Sequence, residues 1–342
     1  MVVPRSSSTP STQSAPLSRR GWLHSAAWGV AALAVPAASG YAQTGGWPSR
    51  PLRLLVGFPP GSSPDLTART LAEPLAQVLG QPVVVENRPG AGGNIAAEQV
   101  ARANDGHTLG LMINGNLTIA KILNPATPYD PLTDLAPVSL VGTAPLVLTA
   151  STRLPAEPAA VLAAGREAGD RWNYGTPGAG TVAHIGMEML KVAAGWRAVH
   201  VPYPGNPQVV TAMIQGDVQV ALLPPGVALP QVQAGRLRAV GLTSPGRSTL
   251  APQVPSLAEL GLRGFDLEIW NAVAAPVTWP AAQIQRVAAA LAEIVRRPEV
   301  RQKLFAQGWQ VAGTAPEGLA QRVRTDTARM QAIVERNGIR AQ

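Results

Sequence analysis

The stretch that most constrains this chain is Leu52–Arg69, LRLLVGFPPGSSPDLTAR. Leu52, Leu54, Leu55 and Val56 form a short apolar run, the pattern of a strand buried on both faces of a parallel sheet. Phe58-Pro59-Pro60-Gly61-Ser62-Ser63 interrupts it, and an amphipathic pattern starts near Pro64. Ser63 suits an N-cap and Pro64 the first helical position, where a missing N–H costs nothing. Asp65 in the first turn favours the helix dipole. Such a strand–loop–helix junction offers free backbone N–H groups and a partial positive charge to an anion, with no lysine or arginine needed. The same residues also suffice for a capped βα turn and nothing more.

The design recurs. Trp172-Asn173-Tyr174 is a strand, Gly175–Thr181 (GTPGAGT) a loop of small residues, and a helix is predicted from about Val182 to Ala194, with Thr181 as its cap. Thr176, Gly178, Gly180 and Thr181 let a ligand approach the backbone closely. His184 in the first turn can face the loop or serve as a packing residue. Asn114 and Asn116 follow the strand Leu109–Asn114, at the carboxyl end where ligands of open α/β sheets gather, although Asn is also common in turns. Tyr203 ends the strand Ala198–Tyr203 with a hydroxyl suited to a cleft rim, and Pro224-Pro225 ends the strand Asp217–Leu223. Leu140–Ala150 is long enough to cross between lobes, and Leu237–Thr243 is a second crossing.

Between the two junctions, VVVENRPGAGGNIAAEQVA carries a glycine cluster. It is not a dinucleotide fingerprint, because Ile95 holds the place of the third glycine. Glu86, Asn87 and Arg88 read as loop anchors. This string, with FPPG…D upstream, resembles the Bug-type solute receptors of the tripartite tricarboxylate transporters. The resemblance continues through Tyr129-Asp130-Pro131, Asp134–Val138, Tyr174-Gly175…His184, Val199–Tyr203, Leu237–Val240, Pro252…Pro255 and the Trp270 segment. It implies a type II periplasmic binding protein, α/β, with two lobes closing on a ligand. The expected lobes are 47–145 plus 242–342, and 146–241. Phe58, Pro60, Gly61, Ser62, Ser63 and Asp65 from one lobe would meet Thr176–Thr181 from the other, with Asn114, Asn116, His184, Tyr203 and Pro225 around them, on a small organic carboxylate. The resemblance also implies delivery to membrane permease subunits, without a cofactor, by a monomer. A receptor of this fold docking on a sensor kinase ectodomain is the alternative.

Several positions depart from the family pattern. Ser62 replaces the second glycine of PPGG, and Pro64 the Ser/Thr before the aspartate. Tyr203-Pro204-Gly205 lacks the usual lysine, and Leu223-Pro224-Pro225 lacks the usual Asp or Asn. Fewer polar groups suggest a ligand with a less polar distal end, an aromatic or medium-chain mono- or dicarboxylate.

The first 42 residues read as an address. Arg5, Arg19 and Arg20 precede the apolar Ser25–Ala38, which is shorter than the roughly 20 residues of a spanning helix. Small residues at Gly40 and Ala42 place a cleavage site after Ala42, so export to the periplasm is expected, by the general or the twin-arginine route. With no cysteine in the chain, disulfides and a lipid-anchored Cys are excluded. Without the leader's arginines the formal charge falls from +8 to +5, and the remaining ones are scattered, unlike a nucleic-acid footprint. GLTSPG at Gly241–Gly246 has the wrong spacing for a nucleophile elbow, and no HExxH occurs. A secreted hydrolase would need Ser62 or Thr181 within hydrogen-bond reach of His184 or His200.

Overall fold

The computed structural model describes residues 46–340, so the expected leader lies outside it. The chain runs from β1 (Leu52–Val56) through α1 (Ser63–Leu79) to β2 (Val83–Asn87), α2 (Asn94–Ala101) and β3 (Thr108–Ile113). A π-helical turn at Gly115–Ile119 and α3 (Ala120–Leu123) then lead to the long β4 (Leu135–Pro145). Leu146 alone separates β4 from β5 (Val147–Ser151). Next come α4 (Pro158–Ala168), β6 (Asn173–Thr176), α5 (Val182–Ala194), β7 (Val199–Pro202), α6 (Asn206–Gln215), β8 (Val220–Leu223), α7 (Pro225–Gln233) and β9 (Leu237–Leu242). The chain closes with β10 (Glu268–Pro276), α8 (Ala281–Ile294), α9 (Pro298–Ala306), β11 (Gln310–Val311) and α10 (Pro316–Arg336).

The described residues form two helix-flanked sheets, ordered β11-β4-β10-β3-β1-β2 and β7-β6-β8-β5-β9. Both repeat one plan. β2-β1-β3 and β7-β6-β8 are parallel triplets, and against the third strand of each lies an antiparallel strand, β10 or β5, arriving from the other lobe. The apolar run of β1 is buried on both faces, as a central parallel strand requires.

The chain first passes from one sheet to the other at Leu146, between β4 and β5. The second crossing differs from the expected boundary at 242. Leu242 still pairs with Val147 in the second sheet, and Leu257, Leu262, Phe265 and Leu267 bury in that lobe's core with Tyr174 and Leu222. The chain therefore returns between Leu267 and Glu268. The last helix spans both cores, with Leu319 and Val323 beside Trp270 of the first lobe and Met330, Ile333 and Val334 in the core of the second.

Local structure departs from simple propensity within α1 and at the start of α10. Pro74 lies inside α1, yet the helix continues to Leu79. Leu71, Leu75 and Leu79 form one buried stripe, and their burial offsets the hydrogen bond the proline forfeits. Ser62, and not Ser63, takes the cap position of α1, which leaves Pro64 still among the orphan N–H positions of the first turn. Ala315, not Thr314, takes the cap position of α10. Thr314 Oγ1 instead accepts the Leu140 N–H at 3.1 Å, tying the start of α10 to β4.

Candidate functional site

A cavity of about 40 Å³ lies between the lobes. Since one water needs roughly 10–15 Å³ on this measure, it has room for a few water-sized groups. Its wall collects the starts of several helices: Ser63 and Pro64 of α1, Val182 and Ala183 of α5, Asn206 of α6, and Pro224 just before α7. Phe58, Ile113, Leu146, Ile269 and Trp309 supply apolar surface, and Asn114, Thr181 and Asn271 supply polar groups. No charged side chain among the described residues lines it. Helix N-termini carry partial positive charge, so their convergence in an apolar setting favours an anion without a counter-ion.

Of the expected ligand residues, Phe58, Ser63, Asn114 and Thr181 come together on this wall. The others lie around it, and most serve the loops. Asp65 is buried and accepts from Gly61 N at 2.9 Å, from Arg69 and from Asn87. Burial alone would raise its pKa, but these partners outweigh it and hold the carboxyl below its usual range. Asp65 thus braces the Phe58–Ser62 loop. Asn87 also donates to Phe58 O at 2.9 Å, so the residues read as loop anchors secure the first junction itself. Asn116 holds the glycine loop through Gly92 O and Asn94.

Thr181 caps α5 by accepting from His184 N and donates to Gly178 O at 2.8 Å. Thr176 Oγ1 meets His200 Nε2 at 2.7 Å. Beneath the loop, His184, His200 and Tyr174 form one stack, with centroid separations of 4.4 and 4.8 Å. The His184 ring takes the Gly180 N–H at Nδ1 at 3.4 Å, a loop-supporting role. Tyr174 donates to Glu188, which Lys191 also contacts. Burial, and then the neighbouring His200, lowers the His184 pKa to about 4. The neutral ring is therefore built into the fold. Its stabilising contribution should be complete above the unfolded-state pKa near 6.5 and be lost progressively as pH falls toward 4. Melting temperature measured from pH 7 to 4 is expected to fall, and His184→Gln to flatten that fall by about one proton per molecule.

The lobes meet in this structure. A Cβ added at Gly178 would lie 2.9 Å from Gly92 Cα, and one at Gly205 would lie 2.7 Å from Pro59. Pro225 sits against Gly308 of the first lobe. Gly178, Gly180 and Tyr203 face Gly90–Gly92 across a broader, open cleft of about 570 Å³. The glycine cluster is thus a surface on which the two lobes meet. Its backbone occupies positive φ at Gly90, Ala91, Gly92 and Gly93 in succession.

Sequence reasoning missed Asn206, Asn271 and Trp309. Asn206 had a readable signal, an Asn-Pro pair after a glycine. Asn271 and Trp309 had none, because β10 and the turn after α9 reach the cleft only through the crossing topology.

Matches to known proteins agree with this geometry. The family model described as the tripartite tricarboxylate transporter family receptor matches residues 67–339. The chain belongs to this receptor family. BugT of Bordetella pertussis is 38% identical over 67% of this chain and 72% of its own length. The solved structure of MatC from Rhodopseudomonas palustris with bound malate is 30% identical, has a TM-score of 0.81, and is matched over 84% of this chain and 100% of that one. A second R. palustris protein, solved with adipate, is 28% identical with a TM-score of 0.83 over 85% and 98% of the two chains. The receptor is thus a two-lobed solute-binding protein of the Bug type. Among its described residues no helix is long and apolar enough to cross a membrane, and no group of three or more His, Cys, Asp or Glu could hold a metal ion.

Proposed function

We propose that this receptor captures a small organic carboxylate in the inter-lobe cavity and, with the lobes closed, delivers it to the permease subunits of a tripartite tricarboxylate-type transporter in the periplasm. The observation that carries the reading is the convergence of four helix starts on an uncharged, largely apolar cavity. The acids bound by MatC and by the adipate-bound relative support the ligand class. The apolar wall supports a ligand less polar than a tricarboxylate. Capture without turnover is supported at Thr181, whose hydroxyl is engaged by Gly178 O and the His184 backbone, and at His184, whose ring takes the Gly180 N–H. Affinity depends on both lobes, because the first contributes the start of α1 and the second the starts of α5, α6 and α7.

A thermal-shift series with mono-, di- and tricarboxylates, amino acids and neutral solutes tests this. An acid present at about 100 times its dissociation constant should stabilise the protein by about 2.7 kcal/mol. Thr181→Trp, which fills the cavity from the second lobe, should remove the shift. Shifts from neutral solutes alone would overturn the carboxylate reading.

A further inference from the structure

We propose that the cleft selects hydroxy-carboxylates, with the ligand's hydroxyl donating to Asn114 Oδ1. This rests on the carboxylate reading above and narrows it. Asn114 follows β3, lines the cavity and is 2% exposed. Its Nδ2 donates to Glu268 O at 3.0 Å, and because a carbonyl only accepts, this bond fixes which way the amide points. The backbone is held as well, its carbonyl accepting from Thr118 Oγ1 at 2.7 Å. Oδ1 is left buried with no partner among the described residues. Two other residues of the same wall carry buried, unpartnered N–H donors: Asn206 at Nδ2 and Trp309 at Nε1. An indole N–H can only donate.

The wall therefore asks for both polarities. A carboxylate has acceptors only. It satisfies Asn206 and Trp309 but would leave Asn114 Oδ1 unpaired, or set oxygen against oxygen there. A buried acceptor left without a donor is costly, which is how polar sites reject analogues that lack a hydroxyl. A hydroxyl on the ligand would supply the missing donor directly. An ammonium is the poorer fit, because no carboxylate lines the cavity to offset its charge, and Asp65 in the first turn of α1 is already engaged by Gly61, Arg69 and Asn87. A neutral O–H beside the carboxylate meets all three groups.

Calorimetric titration of the purified receptor with matched acids decides this. The pairs are malate with succinate and lactate with propionate, and aspartate serves as the amino counterpart of malate. The hydroxy member should bind at least tenfold tighter, and Asn114→Leu should bring the ratio within a pair close to one. Equal binding by the deoxy acids, tighter binding of aspartate than malate, or a ratio that survives Asn114→Leu would overturn the hydroxyl assignment while leaving the carboxylate reading in place. Failure of every acid to bind would overturn both. The ligand series on the unaltered protein is decisive even if Asn114→Leu does not fold.

Discussion

Gly57→Ala is expected to destabilise the receptor by about 3 kcal/mol, the upper end of the cost of overpacking, and to abolish ligand binding in whatever protein remains folded. An added Cβ would lie 2.4 Å from Gly93 Cα and 2.7 Å from Gly93 O. Both neighbours are backbone, so no side chain can rotate away. Neither segment can easily shift. Gly57 directly follows β1, which is paired on both sides, and Gly93 sits at φ +92° in the turn that starts α2. Any displacement passes straight to Phe58 on the cavity wall and to Gly92 on the surface where the lobes meet. Urea denaturation would give the stability loss, and calorimetry with an acid that binds the parent protein would give the loss of affinity. A variant as stable as the parent would mean that the β1–α2 contact relaxes freely.

Trp309→Ala is the second large effect, an expected loss of about 3–5 kcal/mol, typical of removing a buried indole. Trp309 is 2% exposed and belongs to the core of the first lobe with Leu304 and Val295. It follows Gly308, whose φ of +93° is needed to turn the chain from α9 into β11 and which touches Pro225 of the second lobe. The indole therefore packs the core, walls the cavity and stands beside the inter-lobe contact. Truncation should also enlarge the cavity, so bulkier acids excluded by the parent should gain affinity relative to small ones. Denaturation and a titration series of acids of increasing size would measure the two consequences separately. Loss of stability with unchanged size preference would assign Trp309 to the core alone.

Much of this architecture was legible because it is written in local patterns. The apolar run of β1, the small-residue loops at Phe58–Ser63 and Thr176–Thr181 and the cap at Thr181 are short-range features, with physical requirements met within a few neighbouring residues. From them follow the α/β class, the two matching strand–loop–helix junctions and, through the ENRPGAGGN string, the family. The return strand β10 was not legible, since its pairing with β3 and β4 joins residues more than a hundred positions apart.

The same distinction governs the site. The sequence by itself determined that Asp65, Asn116, Thr176 and His184 stand near the strand–loop–helix junctions. Only the tertiary structure decided that their polar groups brace those loops, because each meets its partner there: Gly61 and Asn87, Gly92, His200 and Gly180. It also decided that Asn206, Asn271 and Trp309 share a wall with Phe58 and Asn114. Side-chain chemistry is a property of the residue, but whether a buried polar atom is satisfied depends on what the rest of the chain brings to it.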